Sequence, residues 1–161
     1  IISIGSGSKF LIDKNIVHES LLEKEESDEI NYLAYGDARE NRGKEQIGGV
    51  ILNSIIDLTH PLAFGYENNT LPLYKNNSIW LKPSKNSYSS VVRYTDDSLI
   101  DGFLSENNKS KIKESVSLVV SKVGKGIAVM FADNPNFRGA WYGTNRLFLN
   151  AILLGDKIYI P

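Results

Sequence analysis

The stretch SVSLVVSKVGKGIAVMFADNPNFRGAWYGTNRLFLNAILL, residues 115–154, decides the fold class. Residues 115–123 are rich in valine, Gly124-Lys125-Gly126 follow, and residues 127–132 are apolar throughout. Only a few turn residues separate the two runs, so they predict two strands joined as an antiparallel hairpin. A strand that is apolar at every position is typical of the centre of a sheet covered on both faces.

The same stretch continues into a helix, predicted over about residues 144–154. Its apolar positions recur at helical spacing, and Gly155 follows as a stop signal. The positions expected to face the sheet are Leu147, Phe148, Ala151, Ile152 and Leu154.

The chain opens with a strand, a glycine-rich turn and a helix. Residues 1–5 read as a buried strand, and Gly5-Ser6-Gly7-Ser8 lead into a helix expected to run to about Lys14. Ser6 or Ser8 is the expected N-cap, and Phe10 and Leu11 are expected to face the sheet. Because a strand needs neighbours to satisfy its backbone, we expect residues 1–161 to lack the first strands of a longer domain.

The middle of the chain predicts further short strands. They are expected over residues 50–57, 71–74, 78–81 and 90–94, and Asp96-Asp97-Ser98 predict a short helix through Phe103. The acidic residues between 18 and 31 predict a solvated loop or helix face. Together these elements indicate one α/β domain over 1–161, with a mixed sheet and helices on both faces.

Composition excludes several classes of function. Eighteen basic and nineteen acidic residues give a net charge of -1, which argues against nucleic acid as a partner. The chain has no cysteine, and hence no disulfide framework, thiolate zinc site or cysteine nucleophile. Its longest apolar runs, such as 127–132, are too short to span a bilayer.

Catalytic motifs are weak. His18 and His60 are the only histidines and lack the spacing of a zinc hydrolase site, so no metal ligand or cofactor is predicted in this chain. One alternative is a serine hydrolase that uses Ser6 or Ser8 with His60 as base and Asp57 or Asp133 as its acidic partner. The Gly-x-Ser-x-Gly spacing of a nucleophile elbow is absent, however. The glycine-serine loop also lacks the spacings of phosphate-binding loops.

Residues 133–146 hold the densest set of binding side chains. Arg138 suits a carboxylate, and Trp141 or Tyr142 suits stacking on a sugar or flat group, so a small-molecule or glycan-binding module is a second alternative. Ligands of open α/β sheets bind at the carboxyl ends of strands. The loop 133–141 and the loop containing Ser6 and Ser8 both leave such ends, and they become neighbours if their strands run parallel.

Two long motifs resemble a known family. THPLAFGY, residues 59–66, and the segments FADNPNFRG, 131–139, and GTNRLFLNA, 143–151, resemble the C-terminal region of bacterial M14-type zinc carboxypeptidases. That region is similar to a class I glutamine-amidotransferase-like domain placed after the peptidase domain. The opening ISIGS, residues 2–6, is similar to its central strand and the turn that follows.

The resemblance implies a flavodoxin-like layered sandwich and a non-catalytic role. Active amidotransferase-like domains place a cysteine at the elbow after the central strand, where this chain has Gly5-Ser6-Gly7. The family's zinc and zinc ligands belong to the upstream peptidase domain, and none is carried onto a residue here. The implied partners are that upstream domain or a second copy of the chain, and the implied location is outside the cytoplasm.

Overall fold

Among the residues that the structure describes, six strands form a single mixed sheet. The computed structural model describes residues 1–22 and 32–161. The strands are β1 (Ile2–Ile4), β2 (Val50–Ile56), β3 (Thr70–Lys75), β4 (Ser90–Gly102), β5 (Val116–Val123) and β6 (Gly126–Phe131).

Strand order places β1 and β3 at the two margins of the sheet. Across the sheet the order is β1-β6-β5-β4-β2-β3. β1 runs parallel to β6, and every other neighbouring pair is antiparallel. The carboxyl ends of β1, β6, β4 and β3 therefore share one end of the sheet, and β2 and β5 finish at the other.

Helices cover both faces of the sheet. The helices are α1 (Ser6–Asp13), α2 (Ala38–Glu45), α3 (Glu106–Lys113) and α4 (Tyr142–Leu154). In β6, Ala128 and Met130 pack with Leu11 of α1. The alternate residues Val129 and Phe131 belong to the core cluster of α4, because successive strand side chains point to opposite faces.

The predicted α/β class is confirmed. The two strands and the helix predicted for the last third of the chain are confirmed as well. Lys122 pairs with Ile127 and Val123 with Gly126, so β5 and β6 form the expected antiparallel hairpin. The helix of the last third begins two residues before the expected start, at Tyr142. It ends at Gly155 in a right-handed conformation, with φ −57°, so this glycine is not used for its left-handed freedom.

Two predictions for the middle of the chain are wrong. Residues 96–103 are not a helix, because β4 continues through them to Gly102. Leu52 pairs with Leu99 and Ser54 with Tyr94, so residues 95–98 bulge out opposite a single residue of β2. Residues 78–81 form no strand, only isolated bridges through Leu81.

The expected cap of α1 is also wrong. Neither Ser6 nor Ser8 makes a side-chain cap hydrogen bond, since Gly5 holds the cap position. Leu11 is buried as expected, but Phe10 is 55% exposed. Most of the acidic stretch predicted as a solvated segment, residues 23–31, lies outside the described residues.

Candidate functional site

The turn between β1 and α1 is the first candidate site. Gly5 adopts φ 52° and ψ −115°, a conformation that residues with a Cβ rarely take. Its N–H donates to the Phe131 carbonyl at 2.8 Å, and its own carbonyl accepts the N–H of Ser8 at 2.9 Å. The turn is therefore sharp and is fixed against the carboxyl end of β6.

The two serines of this turn have different surroundings. Ser6 is exposed as the first residue of α1. Ser8 is fully buried, and its hydroxyl donates to the Phe131 carbonyl at 2.8 Å and shares a hydrogen bond with Ser3 Oγ at 2.9 Å. The Ser8 hydroxyl thus ties α1 to β1 and β6.

His60 lies at the other end of the sheet. It follows β2, whose direction is opposite to that of β1, so the structure does not bring His60 to Ser6 or Ser8. Its Nδ1 accepts the N–H of Leu62 at 3.2 Å and caps the short 3-10 helix Pro61–Ala63. Burial lowers the pKa of His60, which favours the neutral ring that this acceptor role requires.

Asp57 also has a local role, in the turn that contains Thr59. One of its carboxylate oxygens accepts the Thr59 hydroxyl at 2.6 Å and the Thr59 N–H at 2.9 Å. The bond from the Thr59 hydroxyl lowers the pKa of Asp57. The carboxylate therefore stabilises the chain reversal after β2.

The loop after β6 reaches across to the sheet margin at β3. The indole Nε1 of Trp141 donates to the Pro72 carbonyl at 3.2 Å, and Phe137 stacks on Tyr74 with ring centroids 3.8 Å apart. Arg138 is exposed with φ 53°, and its guanidinium lies 5.3 Å from the Phe137 ring centroid. Tyr142 is exposed at the start of α4.

Only some of the residues that were expected to bind a ligand lie close to one another. β1 and β6 run parallel, which meets the condition under which the two loops were expected to be neighbours. Trp141, however, is engaged with the far margin of the sheet at β3. A single cleft that contains Ser6, His60 and Arg138 together is not formed, because His60 is at the opposite end of the sheet.

A buried ion pair lies at the shared carboxyl ends of β3 and β6. The Lys75 side chain is fully buried, and its Nζ lies 2.9 Å from Asp133 Oδ1. The same Nζ donates to the Ile79 carbonyl at 2.8 Å and lies 4.5 Å from the Trp80 ring centroid. Burial lowers the pKa of Lys75, whereas the Asp133 carboxylate raises it. Three acceptors lie around the Nζ, which matches the three N–H donors of an ammonium group.

The second oxygen of Asp133 completes the network. It accepts the Tyr94 hydroxyl at 2.5 Å and the Ser117 hydroxyl at 2.7 Å. Burial, together with the Asp133 charge and hydrogen bond, raises the pKa of Tyr94 well above its usual value, so the phenol remains a donor. The adjoining cavity is about 10 Å³, room for about one water and too small for an organic ligand.

This hydrogen-bonded network joins the ends of two strands of a curled sheet. Three strands separate β3 from β6 in the sheet order. Even so, Lys75 at the end of β3 and Asp133 just after β6 are in direct contact. The sheet must therefore curl so that the ends of β3 and β6 meet. Because both charges are paired and hydrogen-bonded in the interior, the geometry is that of a structural clasp.

Lys75, Tyr94 and Ser117 were not among the residues expected at a site, although the sequence carries one signal for Lys75. Leu71, Leu73 and Lys75 alternate along β3, and all three are buried. Alternation alone places Lys75 on the core face, where a lysine needs a carboxylate partner. Asp133 follows β6 directly, but the sequence does not reveal that the sheet curls to bring the two together.

An apolar surface covers the outward side of α4. Leu149, Ile152 and Leu153 are 47%, 56% and 71% exposed. Leu149 precedes Ile152 by three residues and Leu153 by four, so the three side chains form a stripe along one side of the helix. The inward positions Leu147 and Ala151 are buried as predicted, whereas Ile152 was expected to face the core and does not.

Within residues 1–22 and 32–161, no three histidine, aspartate or glutamate side chains are grouped to hold a metal ion. Over the same described ranges, no helix is both long and apolar enough to cross a bilayer. A scan of protein-family models and searches of curated proteins and of solved structures found no match to the chain.

Proposed function

We propose that this chain is a non-catalytic accessory module of a zinc carboxypeptidase-like protein. The module has a flavodoxin-like, amidotransferase-like architecture. It packs on the peptidase domain, positions its substrate or joins subunits, and the protein acts outside the cytoplasm. The catalytic zinc and its ligands belong to the peptidase domain.

The observation that carries this proposal is the conformation of Gly5. A nucleophile elbow holds its reactive side chain on a sharp, strained turn between a strand and a helix. Gly5 stands at such a turn, between β1 and α1, with φ 52° and ψ −115°. Glycine has no side chain to present, so the turn has the shape of an elbow without a nucleophile.

The neighbouring serines support the same interpretation. Ser8 uses its hydroxyl in two buried hydrogen bonds, and His60, the expected base, caps a helix at the other end of the sheet. A serine nucleophile needs a base within hydrogen-bond reach. The arrangement around Ser6 and Ser8 therefore favours a scaffold over a hydrolase.

The apolar stripe on α4 supports a packing role. Exposed apolar side chains that lie side by side mark surfaces that contact another protein or domain. Leu149, Ile152 and Leu153 form such a surface, and α4 itself carries no acidic residue. A domain laid against this side of α4 would bury apolar area with little cost in desolvated charge.

Deletion of residues 1–161 from the complete gene product tests the accessory role. Zinc content, carboxypeptidase activity, melting temperature and oligomeric state are compared before and after deletion. We expect zinc to be retained, and stability, activity or oligomeric state to change. A gene product without zinc-dependent carboxypeptidase activity would contradict the proposal, and so would a deletion that leaves all of these properties unchanged.

A fluorophosphonate probe tests the non-catalytic part separately. The reagent labels activated serines, so we expect no labelling of the purified chain. Ser6→Ala and Ser8→Ala variants are the matched controls. Labelling that disappears in either variant would show a serine nucleophile.

A further inference from the structure

A groove between α2, α3 and the chain segment that follows β3 combines basic and aromatic side chains. Its volume is about 240 Å³, close to the lower end of small-molecule sites, which range from about 300 to 1,000 Å³. The side chains that line it include Leu22, Arg42, Gln46, Ser78, Trp80 and Lys111. None of them belongs to the turn between β1 and α1, to the loop 133–146 or to the stripe on α4, so the groove is a separate place on the molecule.

Hydrogen bonds hold the walls of this groove together. The Ser105 hydroxyl, just before α3, donates at 2.7 Å to the Lys44 carbonyl in the last turn of α2. The Leu22 N–H donates at 2.9 Å to the Trp80 carbonyl, and the Trp80 ring centroid lies 4.5 Å from the buried Lys75 ammonium. The groove is therefore formed before a ligand arrives, which lowers the entropic cost of binding.

Trp80 brings an unused hydrogen-bond donor to the groove. The Trp80 side chain is only 6% exposed, and a buried indole N–H usually finds a partner. Trp141 meets this rule through the Pro72 carbonyl, whereas Trp80 Nε1 donates to no acceptor within residues 1–22 and 32–161. The Trp80 N–H is not one of the side-chain atoms sealed in the interior without a partner, so it is open to an acceptor placed in the groove.

Two cations line the same groove. Arg42 is exposed and Lys111 is half-buried, and neither forms an ion pair with another described residue. A guanidinium group matches a carboxylate through two parallel hydrogen bonds. Glu45 also lines the groove, and α2 ends there with the negative pole of its dipole. Because these two features limit the positive charge, a singly charged carboxylate fits better than a doubly charged phosphate.

We propose that the groove between α2 and α3 binds a small organic carboxylate with a flat or apolar remainder. The carboxylate pairs with Arg42 and Lys111, and one of its oxygens accepts the Trp80 N–H. The remainder of the ligand packs against Leu22 and the Trp80 ring. This binding goes beyond the proposed accessory role and uses none of the residues on which that role rests.

Nuclear magnetic resonance of the two indole N–H groups of the isotope-labelled chain tests the proposal. Benzoate is the probe, because it joins a carboxylate to a flat apolar ring. Millimolar benzoate is expected to move the Trp80 indole proton downfield in a saturable manner, since that donor gains an acceptor. The Trp141 indole proton is the internal control and is expected to stay in place, because it is already bonded to the Pro72 carbonyl.

Two further probes separate charge from shape. Benzamide has nearly the same shape as benzoate but no charge, and we expect it to bind about tenfold more weakly or less. Equal affinity for benzamide would contradict the pairing with Arg42 and Lys111. Inorganic phosphate that binds more tightly than benzoate would contradict the choice of a carboxylate. A Trp80 resonance that stays in place at millimolar benzoate, or that moves only together with that of Trp141, would overturn the site.

Matched variants locate the binding. Arg42→Gln is expected to weaken benzoate binding about tenfold, whereas Arg39→Gln removes the same charge from α2 outside the groove and is expected to leave binding unchanged. Lys111→Gln and Lys113→Gln form a second pair on α3. Equal losses within both pairs would assign the effect to net charge and overturn the site.

A last variant excludes the carboxylates of the chain itself as the occupant. Glu23, Glu25 and Glu26 follow Leu22 in the sequence, and all three are replaced by glutamine. The Trp80 resonance of the free variant is expected to match that of the free wild type, and benzoate is expected to move both alike. A Trp80 resonance that moves on this replacement but not on addition of benzoate would assign the groove to the chain and overturn the proposal.

Discussion

At the residue scale, Lys75 is the largest fully buried side chain among the described residues. It is fully buried, and its ammonium group bonds to Asp133 and to the Ile79 carbonyl. An interior charge is tolerated only when it is paired and its donors are satisfied. Lys75 therefore depends on Asp133, and Asp133 depends on Lys75.

Replacing Lys75 by methionine tests this dependence. Lys75→Met leaves the Asp133 carboxylate buried without its cation, so we expect a loss of about 3–5 kcal/mol in the free energy of unfolding. The double variant Lys75→Met with Asp133→Asn carries no uncompensated charge and is expected to be more stable than Lys75→Met alone. Urea unfolding measures both, and a double variant that is no more stable than the single one would contradict the coupling.

Gly5 permits a second test at the same scale. A Cβ at Gly5 would find its nearest neighbour, the Ala132 carbonyl oxygen, at 3.9 Å, so space is available and only the backbone conformation resists. We expect Gly5→Ala to lower the free energy of unfolding by about 1–3 kcal/mol.

Gly7→Ala is the control for that substitution. Gly7 lies inside α1, where an added Cβ would meet Ser3 Cβ at an ordinary 3.7 Å. Alanine is also the better helix former, so Gly7→Ala is expected to be neutral or stabilising. Equal losses in the two variants would show that backbone strain at Gly5 is not the cause.

At the element scale, the short 3-10 helix Pro61–Ala63 depends on a neutral histidine. His60 Nδ1 accepts the Leu62 N–H, and burial lowers the pKa of His60 below its usual value of 6.5. The unfolded chain therefore takes up a proton before the folded chain does. The stability linked to His60 is present above pH 6.5 and is lost as the pH falls from there towards the lower folded pKa.

Urea unfolding at pH 7 and pH 5.5 measures this linkage. The wild-type free energy of unfolding is expected to fall more over this interval than that of His60→Asn, which keeps a cap acceptor but does not titrate. His18 is present in both proteins and cancels in the comparison. Equal pH dependence in the two proteins would exclude His60 as the source.

Secondary structure was predictable where local signals and sheet pairing agree. The turn Gly124-Lys125-Gly126 between two apolar runs determines the hairpin of β5 and β6 through local chemistry alone. Residues 96–103 carry a helix start signal in Asp96-Asp97-Ser98, but pairing of Leu99 with Leu52 holds them in β4. Long-range pairing overrode the local preference there.

The candidate site was less predictable than the secondary structure. The sequence left undecided whether Ser6 and Asp133 follow neighbouring parallel strands. It gave no sign that His60 lies at the opposite end of the sheet. Both facts depend on strand order, which local patterns do not encode. The clasp between Lys75 and Asp133 depends on the curl of the whole sheet, so sequence alternation reveals only that Lys75 is buried.

At the scale of the whole molecule, the outward side of α4 is the surface through which we expect association. The net charge of -1 supplies little repulsion between copies, and the stripe of Leu149, Ile152 and Leu153 is apolar. If the proposed accessory role holds, we expect the purified chain to associate weakly through this stripe.

Leu153→Glu tests the role of the stripe. Leu153 is largely exposed, so the substitution is expected to change the free energy of unfolding by no more than about 0.5 kcal/mol. Sedimentation velocity of the purified chain is expected to show weaker concentration-dependent association in Leu153→Glu than in the wild type. Lys157→Gln, which makes the net charge more negative by the same one unit but lies beyond α4, is the matched control, and equal weakening in both variants would assign the effect to net charge.

The pairing of β1 with β6 has a consequence during synthesis on the ribosome. Ile1 and its partner Ile127 are 126 residues apart. At about 5–20 residues per second, β6 emerges roughly 6–25 s after β1. For that interval the nascent isoleucine-rich strand has no partner within residues 1–22 or 32–126, so this stage of translation is when it is most open to chaperones and to neighbouring nascent chains.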